Sequence, residues 1–121
     1  MKAKEILTVA ANAVNDKKAK NLFAVEVGEI TALTEYLLMA TATSSTHVRA
    51  LADEVEDKLS KLGVEPHHIE GRSTGWILLD YDEVIIHIFN KESREFYGLD
   101  RLWNDGIPVN LDEILTAPQE D

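Results

Sequence analysis

The stretch Gly75–Phe89, Gly-Trp-Ile-Leu-Leu-Asp-Tyr-Asp-Glu-Val-Ile-Ile-His-Ile-Phe, constrains the fold more than any other part of the chain. Two short apolar runs, rich in branched and aromatic residues, flank an Asp-Tyr-Asp-Glu segment. That pattern predicts two strands of a β-hairpin. With Tyr81 and Asp82 as loop residues, Asp80 faces Glu83, Leu79 faces Val84, Leu78 faces Ile85, Ile77 faces Ile86 and Trp76 faces His87. Asp82 suits the loop because aspartate tolerates the left-handed conformation such turns require. Alternation then sorts the hairpin into two faces. Ile77, Leu79, Val84, Ile86 and Ile88 form an aliphatic face expected to be core. Trp76, Leu78, Ile85, His87 and Phe89 form a second face, apolar but suited to partial wetting, with Asp80 and Glu83 at its loop end.

At 121 residues the chain is expected to form one domain. A chain of this size buries roughly 65% of its unfolded surface, enough for a core without staples. It has no cysteine, which excludes a disulfide framework, a thiolate metal site and a cysteine nucleophile. The net charge of −10 disfavours direct binding to nucleic acid, where affinity rests on cations meeting phosphates. A basic protein partner fits better. No apolar run approaches the about 20 residues of a membrane span, and Glu5, Thr8, Asn12 and Asn15 interrupt any signal-peptide core. These features point to a cytoplasmic location.

Glu5–Lys17 has helical periodicity through Ile6, Val9, Ala10, Ala13 and Val14. Leu22–Val27 reads as a strand stopped by Gly28. Thr34–Thr41 is most simply a second strand, with helix as the alternative because of its Ala and Met. Val48, Leu51, Ala52, Val55, Leu59 and Leu62 predict a helix, with Ser44, Ser45 or Thr46 as N-cap and Gly63 after its end. His67–Glu70 is a short strand, and Gly71–Gly75 a polar turn. Glu92–Trp103 predicts a helix that Gly98 divides. The expected architecture is a single α/β domain with a mixed, roughly five-stranded sheet and about three helices. Residues 1–105 form its body. Residues 106–121 form an acidic C-terminal tail, loosely docked, with one helical turn at Leu111, Ile114 and Leu115.

Several residues invite chemistry. Asp80 and Asp82 resemble the paired acids of metal-dependent nucleotidyl transfer, which share divalent metal and align phosphates. The competing reading makes them turn residues, and Thr43-Ser44-Ser45 lacks the glycine of a phosphate cradle. His67 and His68 are adjacent and so point to opposite sides of a strand, which is poor geometry for one metal ion. His47 lies just after the helix start, where a cation is disfavoured. Trp76 with His87 stands as either core beneath a helix or an exposed contact patch.

At these residues the chain resembles the ribosomal silencing factors, also called Iojap-like proteins. The matching segments are Thr41–Val48, Gly75–Tyr81, Val84–Phe89 and Ser93–Trp103, in that order and spacing. Asp82 departs from the pattern, where glycine is frequent. The resemblance implies a nucleotidyltransferase-like fold without the catalytic glycine–serine loop or metal acids, hence no enzymatic activity and no cofactor. It also implies binding to the large ribosomal subunit through its fourteenth protein, L14. Bound there, the protein would block the small subunit and repress translation under nutrient limitation. The expected contact residues are Trp76, Leu78, Asp80, Tyr81, Ile85, His87, Phe89, Arg94 and Tyr97. Two other readings compete: a residual nucleotidyltransferase using Asp80 and Asp82, and a homodimer through the Trp76/His87 face.

Overall fold

A computed structural model describes residues 1–71 and 75–116, with backbone only at Tyr97 and Leu102. The polar turn expected over Gly71–Gly75 thus lies partly outside the described residues, as does the end of the acidic tail. The elements are α1 (Ala3–Asp16), β1 (Lys20–Glu26), β2 (Tyr36–Ala42), α2 (Ser45–Ser60), β3 (His68–Glu70), β4 (Trp76–Asp80), β5 (Val84–Asn90), α3 (Lys91–Tyr97), α4 (Leu99–Leu102) and β6 (Ile107–Pro108). A short 3-10 turn, Leu111–Glu113, follows. One sheet holds the strands in the order β3-β4-β5-β2-β1-β6. It is mixed, because β2 and β5 run parallel while the other neighbours run antiparallel.

The apolar stripes of α1 and α2 explain which side of the sheet they cover. Ile6, Leu7, Ala10, Ala11 and Val14 from α1 join Val48, Leu51, Ala52, Val55 and Leu59 from α2. They bury Leu38, Ala40, Ile77, Leu79, Val84, Ile86 and Ile88 from the strands. Each of the larger aliphatics there contributes about 1.5–3 kcal/mol by leaving water. Ser44 caps α2, its hydroxyl accepting the His47 N–H at 3.1 Å. Gly63 closes the helix with φ +81°. The His47 ring links the two helices: Nδ1 accepts the Thr43 N–H at 2.9 Å, and Nε2 meets the Lys17 carbonyl at 2.8 Å. Accepting at Nδ1 makes Nε2 the donor.

Strand β2 is buried along its whole length, because it is central and covered on both sides. The segment is the strand expected of it rather than the helix alternative. The parallel pairing falls between β2 and β5, while the strand that directly follows α2 lies at the far edge.

The hairpin register differs from expectation. Trp76 pairs with Phe89, Leu78 with His87 and Asp80 with Ile85. Tyr81 still belongs to the ladder, its N–H bonded to the Val84 carbonyl at 2.9 Å. The loop residues are thus Asp82 and Glu83. Asp82 takes φ +67°, and the Glu83 N–H closes back on the Tyr81 carbonyl at 2.8 Å. That is a γ-turn with positive φ, a geometry that favours glycine and that aspartate tolerates. Moving the loop by one residue moves the pairing by two, so both faces keep their members.

The sheet has six strands rather than five because of the C-terminal segment. Trp103 packs beside Val25, Val27 and Leu37 on the side away from α1 and α2. β6 then pairs with β1 at the edge, Val25 opposite Pro108. Gly106 passes so close to Val25 that a β-carbon would sit 2.4 Å from its Cγ2. Beyond the edge, Val109, Leu111, Ile114 and Leu115 pack against the helix-side core. Asn12 of α1 fastens this end, donating to the Ile114 carbonyl at 2.9 Å and accepting the Thr116 N–H at 2.7 Å. Residues 103–116 therefore wrap the β1 edge from one face to the other.

Candidate functional site

The face opposite α1 and α2 is assembled by cross-strand register. One row runs Glu70, Leu78, His87, Met39, Phe23. A second runs His68, Asp80, Ile85, Leu37, Val25, and a third Trp76, Phe89, Thr41. Side chains directly opposite in a ladder share a side of the sheet, so each row is a line of neighbours.

The cover over this face is partial. Trp103 lies on the β1–β2 half, and α3 packs against β5 and β2. Beneath that cover Phe89 is fully buried and His87 is 7% exposed. Toward the hairpin, Trp76, Leu78, Asp80 and Ile85 are only half-buried.

Trp76 and His87 meet diagonally rather than directly. The indole Nε1–H donates to His87 Nδ1 at 3.0 Å, with ring centroids 5.6 Å apart. An indole N–H can only donate, so Nδ1 is unprotonated and the histidine is the neutral Nε2–H tautomer. Burial lowers its pKa from 6.5 to about 4, consistent with that state. Phe89 completes an aromatic cluster, 5.9 Å from Trp76 and 6.2 Å from His87. The bond and the ring contacts restrain the half-buried indole, so Trp76 meets solvent in one orientation rather than as a rotating side chain.

Arg94 locks α3 over this cluster. Its Nε and Nη2 donate to the two Asp100 carboxylate oxygens at 3.0 and 2.7 Å. Nη1 donates to Thr41 Oγ1 at 2.8 Å and to the Asn21 carbonyl. The guanidinium lies 5.6 Å from the Phe89 ring centroid, within cation–π range. Its side chain is 12% exposed. The Arg94 hydrogen bond holds the Asp100 carboxyl below the usual carboxylate range, against desolvation that works the other way. Gly98, at φ +58°, breaks α3 from α4 and turns Asp100 back toward Arg94.

The expected contact residues therefore separate. Trp76, Leu78, Asp80 and Ile85 lie together on the half-open part of the face. His87 and Phe89 lie beside them in the same rows but are buried, so they support the surface rather than form it. Tyr81 is on the other side, 5% exposed in the helix-side core, because as a ladder residue it keeps the parity of Ile77 and Leu79. Its phenol pKa is raised by burial first, then by Glu56 and Glu65. Arg94 is committed to internal partners. Tyr97 lies in α3, and its side chain is outside the described residues. Sequence reasoning missed Thr41, Asp100 and Trp103 as parts of this assembly. Thr41 was reachable from the alternation of β2. The Arg94–Asp100 pair was not, because its spacing of six residues has meaning only across the Gly98 break.

Asp80 and Asp82 do not form a carboxylate pair along one strand. Asp80 Oδ1 accepts the Asp82 N–H at 2.8 Å, which ties down the turn. Among the described residues no three His, Asp or Glu side chains gather as a metal site. None of the helices there is long and apolar enough to cross a membrane.

Comparison with known proteins gives a consistent picture. The family described as "Ribosomal silencing factor during starvation" matches residues 1–121. A protein named ribosomal silencing factor RsfS from Bacillus subtilis is 34% identical over 93% of this chain and 96% of its own length. One of the same name from Halalkalibacterium halodurans is 32% identical, covering 96% of this chain and 100% of its own. Among solved structures, one from Chromobacterium violaceum superposes with a TM-score of 0.83 at 31% identity, covering 86% of this chain and 88% of that one. Another, from Bacillus halodurans, has a TM-score of 0.78 at 32% identity, covering 88% and 98%.

Proposed function

Since the chain belongs to the ribosomal silencing factor family, we propose that it binds the large ribosomal subunit and prevents the small subunit from joining. The partner is the fourteenth protein of that subunit, and the outcome is repressed translation when nutrients are limited. The action is steric, with no bond made or broken, and takes place in the cytoplasm. The family match across residues 1–121 carries this reading.

The open face supplies a physical basis for it. A restrained, half-buried tryptophan beside half-buried Leu78 and Ile85 offers apolar area at small entropic cost, because the surface is already ordered. Asp80 at the rim offers charge to a basic ribosomal protein, favouring its approach over that of acidic partners. With a net charge of −10, the chain gains little from phosphate backbones, so protein contact dominates over RNA contact.

The test is to add the purified chain to dissociated ribosomal subunits and resolve them on a density gradient. The expected result is co-migration with the large subunit and a reduced peak of joined ribosomes. Co-migration with the small subunit, or joining at the untreated level with the chain present in excess, refutes the proposal.

A further inference from the structure

The β1–β2 loop, residues 27–35, combines fixed backbone with exposed aliphatic side chains. The Val27 N–H bonds the Glu35 carbonyl at 2.8 Å, and the Ile30 and Thr31 N–H groups both bond the Val27 carbonyl at 3.0 Å. The Leu33 N–H bonds Thr31 Oγ1 at 3.2 Å. The Glu83 carbonyl in the β4–β5 turn accepts the Glu35 and Tyr36 N–H groups at 3.0 and 3.1 Å, joining the loop to the hairpin tip. From this tethered loop Leu33 projects 82% exposed and Ile30 49% exposed. A cleft between loop and turn is lined by Gly28, Thr31, Leu33, Glu35, Asp82 and Glu83.

The charge around these aliphatics has one sign. Glu26, Glu29, Glu35, Asp80, Asp82 and Glu83 fall within residues 26–36 and 78–86, and neither segment contains a lysine or arginine. Glu29, Glu35, Asp82 and Glu83 are exposed. The surface is also continuous with the open face: Glu35 and Glu83 abut the row in which Asp80, Ile85 and Leu37 are paired.

We infer that the loop tip is a second docking element, which inserts Leu33 and Ile30 into an aliphatic slot flanked by lysine or arginine on a basic protein of the large subunit. Carboxylates on both sides of the cleft repel phosphate, so the occupant is protein rather than RNA. Two anchors at one end of a sheet fix the orientation of a bound domain, which a single patch leaves free to pivot. This inference rests on the function proposed above and extends its contact surface.

The experiment measures binding of the full chain to purified large subunits by pelleting at several salt concentrations. Ile30→Ser with Leu33→Ser is expected to weaken binding about tenfold or more, as loss of interface anchors does. Glu35→Gln with Asp82→Asn and Glu83→Gln is expected to flatten the salt dependence. Leu78→Lys, on the open face, is the reference. If Leu78→Lys loses binding while both loop variants match the unaltered chain in affinity and salt slope, the second element is refuted and the first stands. If no variant changes binding, both are refuted. Circular dichroism and thermal unfolding confirm that each variant is folded.

Discussion

Arg94→Met loses on the order of 2 kcal/mol of stability, the scale for stripping charge-assisted hydrogen bonds from a mostly buried guanidinium whose carboxylate partner is part-exposed. The variant keeps most of the apolar stem but removes four donated hydrogen bonds and the stacking over Phe89. Thr41 then lacks its donor, and Asp100 keeps a charge without its partner. Because Asp100 is 42% exposed, water recovers part of that loss, and Asp100→Asn costs less than Arg94→Met. The segment tied down by this residue is α3–α4 with Trp103 beyond it, so hydrogen exchange rises first over residues 91–103. Urea unfolding and exchange together check this. A loss under about 1 kcal/mol, with protection unchanged over that segment, removes Arg94 from its assigned part in closing the face.

Acidification from pH 7 to pH 5 costs the chain about 2 kcal/mol through His87 alone. The folded pKa is about 4, below the usual 6.5, because the ring is buried. As pH falls through 6.5 the unfolded chain takes up a proton that the folded chain refuses. Unfolding is therefore favoured progressively below 6.5, and the effect levels off once pH drops below about 4. His87→Asn removes this term while leaving an oxygen to accept the Trp76 N–H. Urea unfolding of both chains at pH 7 and pH 5 isolates it from the carboxylates they share. Equal losses in the two chains contradict the buried, neutral histidine.

The hairpin shows what a sequence can reveal and where it stops. Alternation alone assigned Trp76, Leu78, Ile85, His87 and Phe89 to one face and the aliphatics to the other, and the structure agrees. It did not reveal that the loop is Asp82-Glu83 rather than Tyr81-Asp82, since both choices give the same faces. That small difference moved Tyr81 from an expected loop and contact position into the helix-side core. The α1 and α2 periodicities were legible because each helix buries one stripe. Strand β6 was not, because two residues, one of them a proline, carry no pattern. How much of the sheet face stays open was equally hidden: it depends on where α3 and Trp103 come to rest, and so on Gly98 and on a pair six residues apart.

The same geometry selects the mutations that test recognition. Trp76→Ala removes the donor to His87 and so perturbs folding together with contact. Leu78 and Ile85 are half-buried, and no hydrogen bond of either side chain is broken by replacing it. The direct measurement is the affinity of Leu78→Lys with Ile85→Lys for purified large ribosomal subunits, beside its unfolding curve. Placing two cations on the face should weaken binding by about 100-fold or more, the scale of losing central anchors, while the chain stays folded at the assay temperature. A folded double variant that binds with unchanged affinity would contradict the assignment of this face.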